Sequence, residues 1–167
     1  MRLRKLEQKD APLMYEWMQD PSVVRDLQTK FLAKTLEDCR RFIDMSHTDQ
    51  HNRHLAVVSD EDEYMGTVSL KNIHADRAEF AITVRSSAMG KGYAKYAMMK
   101  MIEKGFFEMG LSAIYWCVSP DNHRAIRFYE KGGFARVRPE FINGLEGYST
   151  EQVCKYIWYC VYKTDRR

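Results

Sequence analysis

No stretch of this chain approaches the ~18 consecutive apolar residues that a membrane-spanning helix needs. The basic opening Met1-Arg2-Leu3-Arg4-Lys5 is not followed by the apolar segment of a signal peptide. The four cysteines, Cys39, Cys117, Cys154 and Cys160, form neither a C-x-x-C pair nor a disulfide framework, so reduced thiols in the cytoplasm are expected. Proline (4) and glycine (9) are sparse and nowhere gather into a linker, and there is no internal repeat. Charge of one sign is also missing. Lys and Arg number 26 against 23 Asp and Glu, and the resulting +3 falls short of a nucleic-acid-binding stripe. Neither a membrane nor a nucleic acid is therefore expected as a partner. The acidic run Asp60-Glu61-Asp62-Glu63 and the closing Arg166-Arg167 read as solvated surface. His47, His51 and His54 have the spacing H-x3-H-x2-H, but the segment is polar and offers no matching carboxylate, so no metal site is expected.

What is present suits one folded domain over residues 1–167. The aromatic content of 13% is too rich for a disordered chain. A short strand is predicted over 2–6, then a helix opening at Asp10 with Pro12 in its first turn. Leu13, Met14, Trp17 and Met18 form its apolar face, and Asp20-Pro21 breaks it. Thr35-Leu36-Glu37-Asp38 has the capping pattern of a second helix. Three strand-like runs follow over 54–58, 64–70 and 78–84, spaced as an antiparallel meander. The pattern then alternates: a helix over 92–108 stopped by Gly110, a strand over 113–118, and a helix over 122–131 ended by Gly132-Gly133. Strands over 134–141 and 154–163 flank a polar loop, 143–150. Meander followed by alternation is an α+β (mixed α/β) sheet with helices on both faces.

Ala88-Met89-Gly90-Lys91-Gly92-Tyr93-Ala94 joins a strand to the long helix. Free N–H groups at a helix start attract anions, and glycines let the backbone turn with positive φ and approach a phosphate closely. The segment fits neither G-x-x-x-x-G-K-[ST] nor the dinucleotide fingerprint, whose third glycine is replaced by Lys95. Downstream lies Asn122-His123-Arg124-Ala125-Ile126-Arg127-Phe128-Tyr129-Glu130-Lys131-Gly132-Gly133-Phe134. On its own terms this is an amphipathic helix with Asn122 at the cap and Ala125, Ile126 and Tyr129 inward.

The string N-x-x-A-I-x-F-Y-E-K-x-G-F resembles the second signature of the GNAT superfamily of N-acetyltransferases. The glycine loop, roughly 30 residues earlier, is similar to that superfamily's acetyl-CoA pyrophosphate loop. The opening strand, the Trp17 helix with Asp20-Pro21, and Glu79-Phe80-Ala81-Ile82 extend the resemblance. They point to the branch holding ribosomal-protein N-terminal, polyamine and nucleotide-amino-sugar acetyltransferases. Asp121-Asn122-His123-Arg124-Ala125 also occurs in the amino-sugar group. One departure is plain: the loop motif opens on Arg or Gln, and this chain has Ser87 there.

The resemblance implies a central, mixed and mostly antiparallel sheet of about seven strands, splayed between the fourth and the fifth. It implies acetyl-CoA as cofactor and direct attack by an amine on the thioester. Ile82, Thr83, Val84, Met89, Gly90, Lys91, Gly92, Tyr93, Ala94, Asn122, Arg124, Ala125 and Tyr129 are the expected cofactor contacts. Tyr129 matches the tyrosine that faces the CoA sulfur, where a hydroxyl with an ordinary pKa of about 10 can donate a proton. Glu79 matches a glutamate that acts as base through water; His74 and His123 are alternatives. The acceptor would meet Trp17, Arg25, Phe31, Glu79 and Tyr148, with Leu32 beside them. A small-molecule amine such as an amino sugar is expected as substrate, the alternatives being a protein N-terminus, or acyl-CoA binding without catalysis. A homodimer is expected if the last strand, long and aromatic, lies at a sheet edge needing cover.

Overall fold

The computed structural model describes residues 1–142, 144–145 and 147–166, without the Arg166 side chain. Asn143 and Glu146 of the expected 143–150 loop, and Arg167 of the expected basic end, lie outside the described residues. The strands are β1 (Arg2–Arg4), β2 (Arg53–Val58), β3 (Tyr64–His74), β4 (Arg77–Val84), β5 (Ala113–Val118), β6 (Arg136–Val137) and β7 (Ile157–Tyr162). The helices are α1 (Ala11–Met18), α2 (Pro21–Val24), α3 (Leu36–Ser46), α4 (Tyr93–Phe107), α5 (His123–Lys131) and α6 (Thr150–Lys155).

The strands make one seven-stranded sheet in the order β1-β2-β3-β4-β5-β7-β6. Neighbours are antiparallel except β4 and β5, which run parallel. Alternation along each strand sends successive side chains to opposite faces. Leu55, Val57, Val68, Leu70, Ala78 and Phe80 therefore meet α4 and α5, while Ala56, Val58 and Tyr64 meet α1, α2 and α3. Trp116 sits at the centre of the first layer, stacked on Tyr159 at 5.5 Å and met edge-on by Phe80 and Phe134. Such aromatic pairs contribute about 0.5–1.5 kcal/mol each beyond their buried area, and they give α5 a rigid bed.

Helix ends follow the predicted chemistry. Thr35 Oγ1 accepts from the Asp38 N–H while the Asp38 carboxylate accepts from the Thr35 N–H, a reciprocal cap for α3. Asn122 Oδ1 accepts from the Ala125 N–H at 3.0 Å and starts α5.

The first departures lie in the amino-terminal half. A 3-10 turn over Gln8–Asp10 precedes α1, because the Asp10 carboxylate is spent on Arg4 and the Glu7 N–H. β3 runs past 70 to His74 and turns at Ala75, which has φ +50°. The acidic run is not simply solvated. Asp62 pairs with Arg2, Arg4 and Lys9, and hydrogen bonds from Lys9 and Arg4 hold its carboxyl down at about 2.

The carboxyl-terminal region differs more. Of the strand expected over 134–141 only Arg136 and Val137 pair, because Pro139 opens a 3-10 turn. The strand expected from 154 begins at Ile157, since Thr150–Lys155 is α6, capped by Ser149 and Gln152. β7 is interior, between β5 and β6, so the edge argument for a covering subunit lapses.

Candidate active site

The parallel pairing of β4 with β5 lasts only from Arg77, Ala78 and Glu79 to Ala113, Ile114 and Tyr115. Beyond Glu79 the two strands splay, while β4 stays bonded to β3 as far as Val84. One edge of β4 is thus left without a strand partner from Phe80 onward, and its polar groups need partners. Two cavities flank this segment, and Ile82 and Thr83 line both.

The first cavity, of about 430 Å³, lies between β4, the glycine loop, α4 and α5. Every residue expected to contact the cofactor lines it except Lys91 and Tyr93. Lys91 projects from the loop apex into solvent, and Tyr93 packs against the main core. Gly90 and Gly92 have φ of +74° and +86°, which side chains other than glycine rarely adopt. Gly92 caps α4, whose first internal bond runs from the Tyr96 N–H to the Gly92 carbonyl. The N–H groups of Tyr93, Ala94 and Lys95 in the first turn consequently have no helix carbonyl to bond and are available to an anion. Lys95, Arg124 and Lys131 also line the cavity, and among the described residues no carboxylate does. Free N–H groups, cations alone and an open strand edge fit a diphosphate carrying an amide-containing arm, so the residues present fit acetyl-CoA.

Tyr129 lies at the inner end of this cavity, 8% exposed, with its ring against Trp116 and Tyr159. Its hydroxyl has no hydrogen-bond partner among the described residues. Burial raises its pKa well above the ordinary value for tyrosine, so it stays a proton donor at neutral pH.

The loop departure at Ser87 has a counterpart two residues earlier. Arg85 is buried and donates to Glu16 through Nε (2.9 Å) and Nη2 (3.1 Å), and through Nη1 to Glu63 (2.6 Å) and the Tyr64 carbonyl (3.1 Å). It ties the start of the loop to α1 and β3. Arg85→Met leaves the Tyr64 carbonyl unsatisfied, and a loss of about 1–3 kcal/mol is expected by denaturant titration. A several-fold weaker acetyl-CoA affinity by calorimetry should accompany it.

The second cavity, of about 390 Å³, lies on the opposite face of the sheet. Met14, Trp17, Met18, Phe31, Phe42 and Met45 wall it, and His54, Thr67, Ser69, Lys71, Ala81 and Thr83 line it from the strands. Trp17 and Phe31 meet edge-on at 4.9 Å, and Trp17 Nε1 donates to the Tyr64 hydroxyl. Its charged lining is Lys34, Asp38, Arg41 and Lys71. Arg41 pairs with Asp38 and Lys71 with Glu79, which leaves no unpaired carboxylate among the described lining residues.

Of the expected acceptor contacts, Trp17 and Phe31 line this cavity; Arg25, Glu79 and Tyr148 line neither cavity. Arg25 sits at the exposed end of α2, turned toward Asp26, and Leu32 is exposed nearby. Glu79 is only 5% exposed. It accepts from the Tyr148 hydroxyl (2.7 Å), Lys71 (3.1 Å) and Asn72 (3.0 Å). His74 and His123 are exposed and line neither cavity. Sequence reasoning missed Lys95, Met98, Phe128 and Lys131, although each continues the three- and four-residue spacing of the motif positions on α4 and α5. It did not single out Ser69 and Lys71 either, which only strand register brings to the second cavity.

Residues 1–135 match the family model for the acetyltransferase (GNAT) domain. The chain is 26% identical over 131 residues to the acetyltransferase PseH of Campylobacter jejuni, covering 78% of this chain and 80% of that one. It is 29% identical over 155 residues to the spermidine N(1)-acetyltransferase of Escherichia coli K12, covering 86% and 80%. Among solved structures, spermidine N-acetyltransferase from Vibrio cholerae in complex with CoA and spermine superposes with a TM-score of 0.78. That alignment has 21% identity and covers 98% of this chain and 95% of the other. No helix among the described residues is long and apolar enough to cross a membrane.

Proposed function

The chain belongs to the GNAT acetyltransferases, which use acetyl-CoA, and on that premise we propose that it acetylates the amine of a small, non-polycationic molecule such as an amino sugar. The observation that carries this reading is the second cavity, which among the described residues offers aromatic walls, a Lys34 without a carboxylate partner and no unpaired carboxylate. A polyamine brings further ammonium groups that need carboxylate partners, whereas a sugar carrying phosphate would be helped by Lys34. The cavity's size suits a small molecule.

Bound acetyl-CoA supplies the acetyl thioester. The free N–H groups of the glycine loop and α4 hold the diphosphate, with Lys95, Arg124 and Lys131 around them. The open edge of β4 orients the arm and offers an N–H to the developing oxyanion. Tyr129 donates its proton at the sulfur. Cys117, in the Glu79–Tyr148 network, is pushed up to about 11 by burial. It therefore stays a thiol at neutral pH and is no nucleophile, which supports direct attack by the amine. Residues 1–167 act as one domain, and the free cysteines suit the cytoplasm.

Thiol release from acetyl-CoA should be followed with glucosamine, glucosamine 6-phosphate, a nucleotide-linked amino sugar, spermidine and an N-terminal tetrapeptide. The sugars should exceed spermidine in kcat/KM by about tenfold or more, the worth of one unmatched charge pair. Spermidine as the best acceptor would overturn the reading, and the tetrapeptide as the best would favour a protein N-terminus.

A further inference from the structure

The amine must lose a proton before it attacks, and the sequence points to Glu79 for that task. In the fold Glu79 is held by three donors and does not line the acceptor cavity. Among the described titratable groups that do, Lys34, Arg41 and Lys71 are cations. Asp38 is spent on the Thr35 cap and on Arg41, which hold its carboxyl below the usual range. His54 is left.

His54 Nδ1 lies 2.7 Å from Ser69 Oγ, and both residues line the cavity. His54 pairs with Ser69 across β2 and β3, and Ser69 pairs with Ala81 across β3 and β4. Leu55, Val68, Leu70 and Phe80 point into the core on the other face, so His54, Ser69 and Ala81 form one row on the acceptor side. The row runs from the cavity's outer wall, where Phe42 meets the His54 ring edge-on at 4.7 Å, to the splayed segment of β4.

We propose that Ser69 and His54 form the proton relay for the acceptor: Ser69 Oγ takes a proton from the ammonium as its own hydroxyl proton passes to His54 Nδ1. The proposal rests on the acceptor reading above, and it requires the tautomer in which Nε2 carries the imidazole hydrogen. The free amine then forms the new C–N bond and the C–S bond breaks. The sulfur takes the Tyr129 proton, the tyrosine recovers a proton from the nitrogen, and imidazolium releases the original proton to solvent. Ser69 touches the substrate; His54 is a positioning residue acting through it.

The surroundings favour a neutral ring before the reaction. Burial lowers the His54 pKa below its ordinary value. Lys71 on β3 adds to this and Asp49 opposes it. Asp38 and Arg41 on α3 face the same cavity as an internal pair, and Lys34 adds positive charge. The sign follows: kcat/KM should be flat near pH 7 and fall as pH drops through a value below about 6.5, where the ring protonates.

The test is the pH profile of thiol release with the best amine of the panel. His54→Gln should lower kcat at pH 7 by about 100-fold with KM nearly unchanged, lose the acid limb, and regain rate as pH rises. Added imidazole should restore His54→Ala by about tenfold or more but leave Ser69→Ala impaired. Exposed His51→Gln should match the unaltered protein. A His54→Gln enzyme with full kcat and the same acid limb would overturn the relay, as would a loss confined to KM. If the unaltered protein binds acetyl-CoA but releases thiol with no amine, the acceptor reading falls and the relay with it; loss of the relay alone leaves that reading standing.

Discussion

Tyr129→Phe is expected to lower kcat by about 100- to 1,000-fold, the usual worth of a positioned proton donor. Acetyl-CoA affinity should stay within about twofold of the original, because the ring keeps its packing and loses only a hydroxyl. The structure explains why the two effects separate. The ring is fixed by Trp116, Phe128 and Tyr159, so its place does not depend on the hydroxyl. The hydroxyl has no partner among the described residues, so the melting temperature should barely change. Because burial raises its pKa, no alkaline loss of activity near pH 10 should trace to this residue. Calorimetry, a thermal melt and a thiol-release assay on one preparation decide the matter. Full turnover in the variant would remove the donor role; lost affinity would make the residue a binding element.

Gly66→Ala should be the most damaging single methyl group in the sheet. Gly66 sits on β3 opposite Val84, at the end of the splayed segment. A Cβ there would lie 2.8 Å from Val84 Cα and closer still to the Thr83 carbonyl oxygen. Both are backbone atoms and cannot rotate away, so β4 itself must move. A cost of about 3 kcal/mol or more is expected, at the upper end of overpacking effects. Thr83 lines both cavities, so acetyl-CoA binding and turnover should fall together, in contrast to Tyr129→Phe. A variant with unchanged stability and affinity would show that β3 and β4 can separate freely there.

The parts of this molecule legible in its sequence are those whose chemistry is local. The glycine loop and α5 each announce themselves within about a dozen residues, because a phosphate-binding turn and a capped amphipathic helix need their special residues side by side. The carboxyl-terminal region is harder. Phe134–Phe141 reads as a strand by its apolar residues, but Pro139 stops it. The helix at Thr150 was readable from Ser149 and Gln152, a capping box three residues apart that the aromatic run behind it obscured. The interior place of β7 had no local signal, since its partners are set by chain crossing. The same holds for the acceptor side. Glu79 stands out in the sequence because it is next to a familiar strand, whereas His54 and Ser69 come together only through register across three strands.

The single strand that separates the two cavities has a thermodynamic consequence. Ile82 and Thr83 line both cavities, and the backbone between them has one conformation at a time. Whatever seats itself on one side selects the wall that the other side meets. Linkage makes that influence symmetric: the factor by which the cofactor tightens acceptor binding equals the factor by which the acceptor tightens the cofactor. On the proposed reading, substitutions confined to the second cavity will therefore register in acetyl-CoA affinity measured with both ligands present, although the altered side chain lines only the second cavity.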